Sequence, residues 1–410
     1  MARAEPTVTL VALGTSHLAA GVISFGPDKL VVRDFRIQLT EALRNGQVND
    51  LAGAAADLGS ILEGLGGRPA RRHRSVHVLL THPRLKLYSF GSSLYFRPDR
   101  RIITGSEIKR VEAQTGQVVT IPLSEQIVAR YTQDYTVNDL SGIRNPLGLE
   151  AERLGVRQAF FTLPEALYGH LNKIFERHEL MVESWYPRAL ASAWAVAGEE
   201  AMRTRVLLVA VGGTQTEYVG LEHYAVAYYE NMPVGIEMIA SLIEEAHGLR
   251  PRSAGPVIEE YAAFGPRMHG GEHIPVHRSE SEETSFISSH DFNRHLDRGL
   301  DRLSTELVSG IQKAFRVFSE EAHVVLTGQG VAVGNLAERL EEKLGRRVSA
   351  GAFKLTHVES PKGFPVRLLP LIGRAQTLKE TRDGREGQVR SKPVFSRICE
   401  GAVQWMRDSF

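Results

Sequence analysis

Cysteine is almost missing from this sequence. Cys399 is the single one in 410 residues, so no disulfide can close within the chain, and a reducing compartment is implied. An excess of either charge is missing too: 49 Lys and Arg stand against 48 Asp and Glu, a net +1. Nucleic acid as a partner would call for a clustered basic face, so none is expected. No window holds about 18 uninterrupted apolar residues, so no segment is long enough to cross a bilayer. The opening MARAEPTVTLVALG has too short an apolar run, and the wrong flanks, for a signal peptide. These absences predict a cytoplasmic chain. Its 42% hydrophobic and 24% charged residues are those of an ordinary globular protein, and its length predicts two to four subdomains.

What is present is a theme stated twice. TVTLVALG, from Thr7, is a short apolar run ending in glycine, as a buried strand reads. GVISFG and KLVVRDFRIQL follow at hairpin distances, and LAGAAADLGSILEGL then has helical spacing. Near residue 205 the pattern restarts: RVLLVAVGG, two further strands in TEYVGLEHYAVAYYENMPVG, then helices. Such a duplication predicts two similar halves with a cleft between them. Between the halves, residues 81–163 change texture, with hairpins, a short helix and polar turns that describe an inserted α+β unit.

Three glycine turns follow apolar strands and are candidates for holding phosphates. They are LGTSH (Gly14, Thr15, Ser16), VGGTQTE (Gly212, Gly213, Thr214) and LTGQG (Gly328, Gln329, Gly330), with Gly235 in MPVGIEMIASL beside the second. Glycine lets backbone N–H groups approach an anion, and the hydroxyls add donors. A glycine at a strand end is more often a plain turn. Three in corresponding places of a duplicated chain point to an ancestral nucleotide cleft.

On these segments the chain resembles the actin/Hsp70 ATPase superfamily, and within it the bacterial division protein FtsA. GIRNPLGLEAERLGVR, at 142–157, is similar to the segment that closes that family's inserted subdomain. ESWYPRALASAWAV and VVLTGQGVAVGNLAERLEEKLGRRV resemble its exit from the first half and its adenosine-side strand, turn and helix. The resemblance implies an α/β, actin-like fold of ribonuclease H-like duplicated halves. The first half would take 1–80 and 164–203, interrupted by the insert at 81–163. The second half would take 204–245, a subdomain at 246–320, and 321–377 with a return to the first half. A flexible linker at 378–393 and a C-terminal amphipathic helix at 394–410 would follow.

The departures are as informative. The family's first phosphate loop begins with an acidic residue and carries a lysine, where this chain has Ala12 and His17. Its second loop opens on an Asp that organises hydrated Mg²⁺; here that position is Ala210, and the loop ends on Glu217. Gly255 and Ile258 stand where relatives flank adenine with Glu and Lys. Phosphoryl transfer rests on such charges. The expectation is therefore a pseudo-ATPase with no catalytic residue and no resident metal, in which ATP and Mg²⁺, where bound, are structural.

The tail KPVFSRICEGAVQWMRDSF closes the reading. On a helical wheel Phe395, Ile398, Cys399, Ala402, Val403, Trp405, Met406 and Phe410 share one half, with Ser409 the only polar residue among them. Pro393 precedes the helix, where its fixed φ is tolerated. The preceding LKETRDGREGQVRSKP is charged and nearly free of large apolar groups, the composition of a tether. Phe395, Ile398, Trp405, Met406 and Phe410 are thus the expected membrane contacts, at the inner face of the cytoplasmic membrane. The resemblance adds a midcell location, self-association into an actin-like polymer, and the C-terminal peptide of the tubulin-like protein FtsZ as partner. Arg294, Arg298 and Arg302, four apart on one predicted helix, are candidates for receiving that acidic peptide, with Asp297 and Asp301 alongside. His269, His273 and His277 are also four apart, but Gly270, Gly271 and Pro275 argue for a loop and against a metal-binding helix. Two alternatives stand within the superfamily: a relative of PilM of type IV pilus assembly, and an active kinase- or chaperone-type ATPase.

Overall fold

The computed structural model describes residues 5–386, apart from 15–16, 28, 45, 66–74, 97–99, 197–203, 224, 252, 262–272, 278–283, 334, 352–357 and 361–367. The first half opens on β1 (Thr7–Leu13), β2 (His17–Phe25) and β3 (Leu30–Leu39), an antiparallel meander. A small ribbon, β4 (Leu43–Arg44) with β5 (Gln47–Val48), leads into α1 (Leu51–Gly64), which Asp50 caps by accepting the Ala52 N–H at 2.9 Å. β6 (Ser75–Leu80) then lies parallel beside β1, with Leu80 opposite Leu13. β1 is buried along almost its whole length, which is why TVTLVAL reads as a continuous apolar run and does not alternate.

The insert hangs between β6 and the next parallel strand. It comprises β7 (Lys86–Tyr95), β8 (Arg101–Ile102), α2 (Gly105–Val118), β9 (Glu125–Val137), β10 (Leu140–Ile143), β11 (Glu150–Ala151) and β12 (Arg153–Pro164). Its main sheet runs β10-β9-β12-β7, and α2 begins on a capping box between Thr104 and Glu107. Leu94, Ile103, Val111, Val137, Leu154 and Val156 give it a core of its own. The chain returns through α3 (Glu165–Glu176), β13 (Met181–Pro187, parallel to β6) and α4 (Arg188–Val196).

The second half repeats the topology. The meander β14 (Arg205–Val211), β15 (Thr216–Glu222) and β16 (Ala225–Met232) is followed by α5 (Glu237–His247), α6 (Ala254–Tyr261), the ribbon β17 (His273–His277) with β18 (Thr284–Ser288), and the long α7 (Ser289–Val317). Next come β19 (His323–Gly328), α8 (Leu336–Leu344), β20 (Val348–Ala350), β21 (Val358–Glu359) and α9 (Leu369–Glu386). The sheet orders, β13-β6-β1-β2-β3-β21 and β16-β15-β14-β19-β20, share one plan: three antiparallel strands, then two parallel ones added beside the first. Alternation along β14 separates the cores. Val206 and Leu208 join the core that also holds the first half, whereas Leu207, Val209 and Val211 face α5 and α7.

Two local expectations change. Residues 378–386, read as tether, continue α9: its packed start around Leu371, Ile372 and Ala375 nucleates a helix that Lys, Glu and Arg prolong at little cost. His273 and His277 sit on β17, not in a loop, because β18 supplies a hydrogen-bonding partner and a two-stranded ribbon leaves an open edge where proline is tolerated. His269 and residues 387–410, with Phe395, Ile398, Cys399, Trp405, Met406 and Phe410, lie outside the described residues.

Candidate functional site

The strand ends bearing the glycine turns converge. In the second half β14 pairs with β19 so that Val211 faces Gly328, and the two turns touch. Gly328 has φ +83°, and a Cβ on it would meet the Val211 carbonyl oxygen at 2.5 Å. The β14–β15 turn is closed by Gly212 N–H donating to the Gln215 carbonyl at 2.8 Å. Its own carbonyls, of Gly212 and Gly213, accept from the N–H groups of Ile236 (3.0 Å) and Glu237 (2.8 Å) at the start of α5. Gly235 makes that seat possible, since a Cβ there would lie 2.2 Å from the Gly213 oxygen. The Thr214 hydroxyl is buried with no partner among the described residues. Thus Gly212, Gly213, Thr214, Gly235, Gly328, Gln329 and Gly330 come together. Gly14 sits at the corresponding end of β1 in the first half, its N–H on the His17 carbonyl at 2.9 Å; Thr15 and Ser16 fall outside the described residues.

The two halves meet at a carboxylate that no phosphate motif predicts. Glu217, facing Ala210 across the β14–β15 ladder, is 3% exposed. One of its oxygens accepts from the Thr81 hydroxyl at 2.8 Å, the other from the Tyr229 hydroxyl at 2.7 Å. Thr81 follows β6 in the first half, while Tyr229 is on β16 of the second. Burial raises the Glu217 carboxyl above its ordinary range, opposed by those two hydrogen bonds and by the charge of Arg188. Aromatic rings continue the junction: Tyr229 meets Phe161 of the insert edge-on at 5.3 Å, Phe161 meets Tyr131 at 6.0 Å, and Tyr131 meets Tyr186 of β13 at 5.0 Å. His82, next to Thr81, is fully buried. Burial, then the nearby Arg84, pulls it down to about 4, so it is neutral at pH 7.

A magnesium triphosphate needs oxygen ligands for its cation and positive charge for its phosphates. Ala12 and Ala210 offer neither, both Glu217 oxygens are already engaged, and several N–H groups of the turns are spent within them. The described residues of the turns carry neither a carboxylate nor a cation, and in that respect they do not fit the group.

Arg294, Arg298 and Arg302 lie exposed along α7. Arg294 pairs with Asp291 at 3.0 Å. Asp297 and Asp301 do not neutralise the arginine row as their spacing implies: they turn to α8, Asp297 to Arg339 and Asp301 to Lys343 at 2.8 Å. Arg298 and Arg302 are left with no ion-pair partner among the described residues.

Residues 86–162, from β7 into β12, match the family model of the SHS2 domain inserted in FtsA. Over 243 residues the chain is 24% identical to the cell division protein FtsA of Pseudomonas aeruginosa, a match covering 59% of this chain and 58% of that relative. The chain is FtsA-like. Among solved structures, the PilM-PilN type IV pilus biogenesis complex aligns with a TM-score of 0.61 at 15% identity, covering 90% of the FtsA-like chain and 98% of the other. MreB 5 of Spiroplasma citri bound to AMPPNP aligns with a TM-score of 0.52 at 11% identity, over 93% and 99%. Both likenesses establish the actin-like fold of the FtsA-like chain.

Sequence reasoning missed Thr81, Tyr229 and the part played by Glu217. The available signal was a lone acidic residue entering the apolar run TEYVGL, which predicts a buried carboxylate in need of partners.

Proposed function

We propose that this chain is a cell-division adaptor of the FtsA type that works without ATP hydrolysis. The observation that carries it is the FtsA-type SHS2 domain inserted between β6 and β13 of an actin-like half. In this reading the C-terminal amphipathic helix lies in the lipid headgroup boundary at the inner face of the cytoplasmic membrane, through Phe395, Ile398, Trp405, Met406 and Phe410. The exposed Arg298 and Arg302, with Arg294 beside them, receive the acidic C-terminal peptide of FtsZ. Self-association gathers many tails on one membrane. ATP and Mg²⁺, where they bind, play a structural part only.

The test is imaging of a fluorescent fusion with and without residues 394–410. The full chain is expected at midcell as bands, and the truncated one diffuse. The likeness to the PilM complex supports a second reading, a pilus-assembly scaffold. Under it the fusion gathers away from midcell, and removing the tail changes nothing. Phosphate release from ATP at rates typical of an active ATPase would defeat the non-hydrolysing part of the proposal.

A further inference from the structure

A hydrogen bond between side chains joins the two halves. The Glu217 carboxylate is buried on the strand that leaves the second glycine turn, and is bonded to one hydroxyl from each half. Thr81 is the residue just past Leu80, which pairs with Leu13 at the edge of the first turn. The bond from Thr81 to Glu217 therefore joins chain segments that lie beside the strands carrying the two turns. A buried carboxylate is costly unless its lone pairs are engaged, so the hydroxyls of Thr81 and Tyr229 are what make its place between the halves tolerable, and parting the halves breaks the bond to Thr81. Arg188, at the start of α4, adds favourable charge without displacing either hydroxyl. The ring series from Tyr229 through Phe161 and Tyr131 to Tyr186 ties the insert into the same junction.

We propose that Glu217 is an internal latch: by accepting from Thr81 across the cleft and from Tyr229 beside it, it holds the two halves closed without a nucleotide. The proposal rests on the reading of the cleft as unfit for magnesium triphosphate, and is independent of the membrane role. It makes closure a constitutive property of the chain.

The experiment uses the full chain with and without Mg-ATP, measuring small-angle scattering and hydrogen exchange. The unmodified protein is expected to keep one radius of gyration whether or not Mg-ATP is present. Glu217→Ala should enlarge that radius and raise exchange at 75–85 and 214–222 roughly tenfold, the effect of stranding buried partners. Thr81→Val, which keeps the shape and removes only the bridging hydroxyl, should move both readouts the same way; it carries the test if Glu217→Ala fails to fold. Glu217→Gln, able to accept one hydroxyl and donate to the other, should stay closed. In the double variant Thr81→Val/Glu217→Ala the two effects should not add, since both remove one interaction. If Thr81→Val is as compact and as protected as the unmodified protein, or if Mg-ATP contracts the unmodified protein, the latch is wrong. ATP hydrolysis with unaltered latch behaviour would defeat the non-hydrolysing reading and leave the latch standing.

Discussion

A Cβ on Gly235 would sit 2.2 Å from one carbonyl oxygen and 2.6 Å from another, so nothing larger than glycine fits between the second turn and α5. Gly235→Ala should cost about 3 kcal/mol, the scale of overpacking, and lower the midpoint of thermal unfolding; an unchanged midpoint would show that the turn yields. His82 sets a pH limit on the same scale. Its folded value is about 4 against an ordinary 6.5, so the folded state resists protonation. Stability is complete above about pH 6.5 and is lost as pH falls from there towards 4, by about 3 kcal/mol for a shift of this size. His77, also held at about 4 by burial and by Arg374, against the opposing charge of Glu183, adds to the same loss. Denaturant midpoints measured from pH 7.5 to 4.5 should fall more gently in His82→Gln. Parallel curves would assign the acid sensitivity elsewhere.

Helices and strands carry the next set of consequences. α7 is 29 residues long, and its buried Phe292, Leu296, Leu300, Leu303, Leu307 and Ile311 recur at three- and four-residue spacing, so one stripe faces the core and the arginines necessarily face out. Because α8 takes up Asp297 and Asp301, the row presents Arg298 and Arg302 as cations with no ion-pair partner among the described residues. Reversing both, as Arg298→Glu with Arg302→Glu, should weaken binding of an acidic FtsZ-tail peptide roughly tenfold, with stability changed by less than about 0.5 kcal/mol. Fluorescence anisotropy of the labelled peptide, read against a thermal melt, separates the two effects. Equal affinity before and after would move the peptide site off this helix.

For the whole molecule, the proposed attachment to lipid through an amphipathic helix at 394–410 is a matter of numbers. Half-burying five large side chains gains several kcal/mol, at about 1.5–3 for each when fully buried, and ordering the helix consumes much of it. Arg397 and Arg407 are offset by Glu400 and Asp408, so charge adds little from the helix itself. One tail should bind weakly and reversibly, and durable attachment needs many tails on one assembly. Co-sedimentation with anionic liposomes should therefore rise steeply with protein concentration and collapse in any variant that stays monomeric. Complete sedimentation of a monomeric variant would contradict this.

Much of the architecture is legible in the sequence alone, because it follows from local periodicity. Apolar runs ending in glycine mark buried strands whose turns must be tight, their repetition marks the two halves, and a change of texture marks the insert, whose strands and helix run from Lys86 to Pro164. That Ala12 and Ala210 carry no carboxylate could be read directly, since this is a property of the residues themselves and needs no geometry. Three things only the folded chain decided. α9 extends beyond the end assigned from composition, because packing of its first turns, invisible in a charged stretch, sets where a helix can propagate. Asp297 and Asp301 serve α8, because partners across a helix pair depend on how the helices are laid together. The bond between Thr81 and Glu217 joins residues 136 apart, and no spacing rule reaches across the closing of two sheets.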